Sequence, residues 1–147
     1  MSELTRSSTA KRKGINNEPS EAIKAKLRFL VNELLQPMRD HLGPIRVTSG
    51  YRSPKLNRAI GGSTKSQHCK GEAVDLQFFE NGLMRNKKIY DYLIENEIEF
   101  DQLINEFDFS WIHVSFKKKG NRNRILEAYK DEDGDTCYKE IKPPPVL

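Results

Sequence analysis

Apolar side chains recur at Ile23, Leu27, Leu30, Val31, Leu34, Leu35 and Met38, in steps of three and four. That period lays one greasy stripe along a helix. Pro19-Ser20-Glu21 supplies a turn-favouring start, and the helix is expected to end near His41-Leu42-Gly43, where Pro44 stops it. A second amphipathic helix is expected from Leu83 to Asn96, with Met84, Ile89, Leu93 and Ile94 on its buried face. Short β-branched or alternating runs predict strands at Ile45–Thr48, Ala73–Phe78, Phe100–Asn105 and Trp111–Phe116. Arg124–Tyr129 and Thr136–Ile141 are expected to form a hairpin around the acidic turn 131–135. Gly50-Tyr51-Arg52-Ser53-Pro54 reads as a turn, Lys55–Ile60 as a short helix and Gly61–Ser66 as a flexible loop. Residues 1–18 form a polar N-terminal arm and residues 143–147 a tail. Strands gathered late in the chain and joined by short turns predict an α+β fold, a small, mainly antiparallel sheet with helices packed on it.

The 147 residues fit one domain, 1–147, large enough for a core without disulfides. With 36% hydrophobic and 31% charged residues, the chain has a globular composition. It has no apolar run long enough to span a bilayer. Cys69 and Cys137 form no CxxC motif and are expected to be free thiols. The stretch 1–14 has charge but no apolar segment behind it, so synthesis in the cytoplasm without a signal peptide is expected, with action outside after release or lysis. A net charge of +4 suits an anionic polymer without choosing one. The basic cluster from Lys117 to Arg124 reads as a solvated loop, and no stacking platform or recognised DNA motif accompanies it, so no nucleic-acid partner is expected. The acidic turn is not an EF-hand, because the sixth residue from Asp131 is Thr136 rather than glycine.

Chemistry concentrates in two short segments. The chain has three histidines. His41 falls in the last turn of the first helix, where the helix dipole favours a cation, and needs no further role. His68 follows a Gly-rich loop, and Asp75 lies seven residues on, inside an otherwise apolar strand. A carboxylate there must be paired or ligate a metal. In Trp111-Ile112-His113-Val114-Ser115, alternation turns Ile112 and Val114 to the core and His113 to the opposite face. Two histidines and one aspartate are a sound donor set for a catalytic zinc ion.

These segments carry a specific resemblance. Val47-Thr48-Ser49-Gly50-Tyr51-Arg52-Ser53, Ser66-Gln67-His68-Cys69-Lys70-Gly71-Glu72-Ala73-Val74-Asp75 and Trp111-Ile112-His113-Val114-Ser115 occur in the order found in the peptidase M15 family. That family contains zinc D-Ala-D-Ala carboxypeptidases and phage endolysin-type L-alanoyl-D-glutamate endopeptidases, and shares its fold with the hedgehog signalling domain. The resemblance runs from about Thr5 to about Phe116. It implies a hedgehog/DD-peptidase-like fold, one zinc ion held by His68, Asp75 and His113, and cleavage of peptidoglycan stem peptides by metal-activated water; the chain is expected to act as a monomer. It also implies that Arg52 faces the substrate, with Ser49, Tyr51 and Gln67 as further groove residues. The general base departs from the family's patterns. Several members carry an acid three residues before the last histidine, where this chain has Ser110, and others a histidine two before it, where this chain has Trp111. Glu106 and then Asp108 are the remaining candidates, with Asp101 and Gln102 more remote on a strand edge expected to face solvent. The missing acid leaves a second reading open, a zinc-containing cell-wall-binding module without catalysis.

Overall fold

The computed structural model describes residues 2–141; the expected tail at 143–147 lies outside them. The N-terminal arm opens with a 3-10 turn at Ser2–Leu4 and a short helix α1 (Ser8–Lys13), capped by the Ser7 hydroxyl and by Gly14 in a left-handed conformation. Leu4 is buried in the main core, so the arm is part of the fold.

The predicted first helix is found, with one irregularity. Helix α2 (Glu21–Leu30), capped by the Ser20 hydroxyl, runs through a π-helical turn at Val31–Leu35 into α3 (Gln36–Leu42). Pro37 is the physical reason. It has no N–H for the regular ladder and would clash with the preceding turn, and the widened turn, with the Gln36 N–H reaching back to the Val31 carbonyl, lets the helix pass it. Leu27, Leu30, Leu34, Leu35 and Met38 remain aligned and buried.

Six strands form one sheet in the order β1 (Arg46–Ser49), β2 (Ala73–Gln77), β6 (Trp111–Ser115), β5 (Gln102–Glu106), β7 (Arg124–Lys130) and β8 (Thr136–Ile141). Each pairing is antiparallel except β5 with β7, so the α+β expectation holds with a mixed sheet. Helix α4 (Pro54–Ala59) lies in the connection between β1 and β2. The expected helix over Leu83–Asn96 is corrected at its start. Helix α5 is Lys87–Glu95, and Leu83–Met84 is instead strand β4, paired with β3 (Phe79–Glu80). Asn81 and Gly82 both have positive φ, which is the Asn-Gly hairpin turn. Met84, expected in the core, is exposed.

Strand alternation divides the sheet into two faces. Val74, Leu76, Leu103, Ile112, Val114 and Ile125 point into the helices and share the main core with Ile89 and Leu93 of α5. The opposite face carries a transverse row, because Asp75 pairs with His113, His113 with Ile104, and Ile104 with Leu126. The next row on that face runs Trp111, Glu106, Ala128, Tyr138. The acidic turn is a turn only, with the Asp131 carboxylate accepting from the Asp133 and Asp135 amides.

Candidate metal centre

Local structure explains how His68 reaches Asp75. Ser66 caps a 3-10 turn at Gln67–Lys70, which ends on Gly71 at φ +72. A Cβ there would lie 2.9 Å from Ile23 Cγ2, so glycine satisfies both the left-handed backbone and the close approach to α2. The turn swings His68 back over β2, where its ring is 3% exposed. His68 Nδ1 lies 2.7 Å from the Gly50 carbonyl. A carbonyl only accepts, so Nδ1 carries the proton and Nε2 presents a lone pair. Gly50 itself leaves no room for a side chain, since a Cβ would run into the Leu4 carbonyl. The N-terminal arm therefore presses directly on the segment that orients His68, and Leu4 O also accepts the Tyr51 amide at 2.6 Å.

The three predicted ligands converge. His113 Nδ1 lies 3.0 Å and His68 Nε2 3.3 Å from the same oxygen, Asp75 Oδ1. One donor atom from each residue lies within 4.8 Å of the others. Burial favours the neutral form of His68 and lowers its pKa, outweighing the pull of Asp75. Burial alone would raise the pKa of Asp75, and positive charge on the neighbouring imidazoles lowers it below the usual carboxylate range. With His68 neutral and its proton on Nδ1, a lone pair instead faces an anionic oxygen across 3.3 Å. A cation between them turns that repulsion into ligation, so these residues fit a metal ion, and two nitrogens with one oxygen suit zinc.

Arg52 completes the anionic side. Its Nη2 lies 3.4 Å from Asp75 Oδ2, its Nε donates to Ser49 Oγ at 3.1 Å and its Nη1 is 3.4 Å from Asn57 Oδ1. The turn that presents it is held by Asn17, whose side chain donates to the Thr5 and Tyr51 carbonyls and accepts from the Ser53 amide.

An open cleft of about 1040 Å³ runs over this face of the sheet and is lined by His68, Asp75, His113, Arg52 and Glu106 among others. Glu106 is 8% exposed. Burial, with Asp75 nearby, pushes its carboxyl up to about 7, against the opposing effects of His113 and Arg52. Asp108 is elsewhere: it is exposed, and it does not line the cleft. It sits in a turn where Phe107, Asp108 and Phe109 all have positive φ, 49°, 55° and 60°. That strained turn is pinned by the Asn105 side chain on the Phe109 amide and by Asn86 on the Phe109 carbonyl. Ser110 donates to the Phe107 carbonyl within it.

Of the other expected groove residues, Gln67 and Gln102 line the cleft, whereas Tyr51 packs in the core and Ser49 only braces Arg52. Asp101 corrects the expectation of a solvent-facing edge, since it is completely buried. Arg122 grips it with two side-chain donors at 2.9 and 2.8 Å, Gln67 Nε2 donates at 2.6 Å, and Lys117 Nζ lies at 3.5 Å. These contacts hold its carboxyl well below the usual range, the Arg122 hydrogen bonds being the main cause. The basic loop is thus partly an anchor and not solely a solvated face. Sequence reasoning missed Asn57 as the partner of Arg52 and missed the far wall of the cleft, built by Leu126, Lys130, Thr136 and Tyr138. No local pattern announces the parallel pairing of β7 with β5 that brings that wall to the site.

A protein-family model described as Peptidase M15 matches residues 1–115. No curated protein matches the chain.

Proposed function

The chain belongs to the peptidase M15 family, and we propose that it is a zinc peptidase that hydrolyses peptide bonds in the stem peptides of peptidoglycan. The observation that carries this reading is the convergence of His68, Asp75 and His113 at the floor of an open cleft that also holds Glu106. His68 and His113 would hold the ion through Nε2 and Nδ1, with Asp75 supplying the one anionic ligand. Zinc in that position supplies a Lewis acid and makes water acidic enough to ionise near neutral pH.

The remaining steps belong to the protein. Glu106, held in a poorly solvated wall with its carboxyl near neutrality, accepts the proton of the attacking water and returns it to the leaving amine. Asp108, exposed and outside the cleft, is not given that role. Arg52 holds Asp75 in place through Nη2, and its permanent charge suits a substrate carboxylate or the oxyanion that develops on the scissile carbonyl. The Gly50 carbonyl keeps the His68 ring oriented.

The test incubates zinc-loaded protein with purified sacculi between pH 5 and 9, about the range over which a base of this kind titrates. New amino termini are expected, and mass spectrometry of the released muropeptides identifies whether the cut is a terminal D-Ala removal or an internal, endolysin-type cleavage. Binding to sacculi with no release at any pH would overturn the peptidase reading in favour of a cell-wall-binding module.

A further inference from the structure

The family match ends at residue 115, yet the sheet continues for two more strands. Strand β7 lies beside β5, the strand that carries Glu106, and β8 closes the edge. Register places Glu106 opposite Ala128 and Ala128 opposite Tyr138. Only a methyl group therefore stands in the row between Glu106 and the Tyr138 ring. Nearer the centre, Leu126 lies beside Ile104, and Phe107 packs on this small buried cluster. The result is an apolar shelf on the cleft side of the sheet, immediately next to the candidate base.

The shelf has a cationic, hydrogen-bonding rim. Lys130 Nζ donates to Thr136 Oγ1 at 2.7 Å and sits 5.1 Å from the centre of the Phe107 ring. No carboxylate among the described residues pairs with it. Tyr138 is half exposed beside it, and both line the same cleft as the metal-site residues. Six cationic side chains line the cleft against three carboxylates, so the cleft as a whole favours an anion.

We propose that the β7–β8 hairpin is a substrate subsite: the shelf of Leu126 and Phe107 takes the aliphatic stem of a peptide residue flanking the scissile bond, and Lys130 with Tyr138 binds that residue's carboxylate. This rests on the peptidase reading for its ligand, but apart from Phe107 it concerns residues beyond the family match. Lys130 is held by one hydrogen bond and one ring, so it is aimed before the ligand arrives and loses little freedom on binding. Tyr138 adds a hydroxyl donor at the same rim.

Trp111, the sole tryptophan, lines the cleft, so its fluorescence reports occupancy without turnover. The experiment titrates zinc-loaded Glu106→Gln protein with soluble stem peptides from sacculi, and with the same peptides after their carboxylates are converted to amides. Free-carboxylate peptides are expected to bind more tightly. Lys130→Met on that background is expected to weaken their binding about tenfold and to erase the preference, as loss of one charge-assisted hydrogen bond predicts. Lys130→Arg should restore it. Tyr138→Phe, the gentlest change, should weaken binding a few-fold and serves if Lys130→Met lowers the melting temperature. Equal binding of both peptides by parent and variants, or no binding by the parent, would overturn the proposal. Discriminating binding by a wild type that cuts nothing would sink the peptidase reading and leave the subsite standing; cutting with no effect of the hairpin variants would do the reverse.

Discussion

Glu106→Gln separates the pH behaviour of one buried carboxyl from everything else in the cleft. Glu106 is 8% exposed, and its pKa rises from 4.5 to about 7. The folded state therefore holds a proton between those values that the unfolded chain has released. With ν_N greater than ν_U across that window, stability falls as pH climbs from about 4.5 through about 7 and is flat beyond. At 1.36 kcal/mol per pH unit the gap corresponds to about 3 kcal/mol; the cleft is open to water, which screens the charge, so about 2 kcal/mol is expected. Glutamine keeps the shape and removes the titration. Metal-free Glu106→Gln should therefore match the wild type near pH 4 and exceed it by about 2 kcal/mol near pH 8. Urea unfolding of both proteins at half-unit pH steps measures this, and taking the difference cancels other groups, including His68. Zinc-loaded Glu106→Gln should keep its metal while hydrolysis falls by about 10² to 10⁴. A stability difference that does not change with pH would refute the burial argument, and full turnover would remove Glu106 as the base.

Three further outcomes follow from the same geometry. Asp75→Asn removes the one carboxylate of the candidate ligand set and is expected to lower zinc affinity by at least about 100-fold in a chelator competition; unchanged affinity would disprove the site. Asp108→Gly relieves a left-handed residue on the surface and should raise stability by about 1 kcal/mol in denaturant unfolding with hydrolysis retained, whereas a large loss of turnover would return Asp108 to the chemistry. Gly71→Ala forces a side chain into left-handed backbone 2.9 Å from Ile23 Cγ2; it should cost about 1–2 kcal/mol and weaken zinc binding through His68, both read by melting with and without zinc.

The long amphipathic stripe from Ile23 to Met38 was legible because a helix repeats its buried face every three to four residues, and Pro37 altered only the local winding. The start of the second helix was misplaced because Leu83 and Met84 fit the helical period while Asn81-Gly82 commits the backbone to a hairpin. Local turn chemistry outweighed periodicity there.

The candidate metal donors are legible in the chain alone. His68 and Asp75 are brought together by one glycine-closed turn, a short-range geometry, and strand alternation alone puts His113 on the face where Asp75 pairs with it. Which acid shares their cleft depends on the sheet. Glu106 and Asp108 are two residues apart, but the sheet buries one in the cleft and a left-handed turn throws the other to solvent. Sheet pairing likewise makes Asp101 a buried anchor and brings Lys130 and Tyr138 into the same cleft as Glu106. Those placements depend on pairing between strands about 20 residues or more apart, and such contacts leave no periodic trace in the chain.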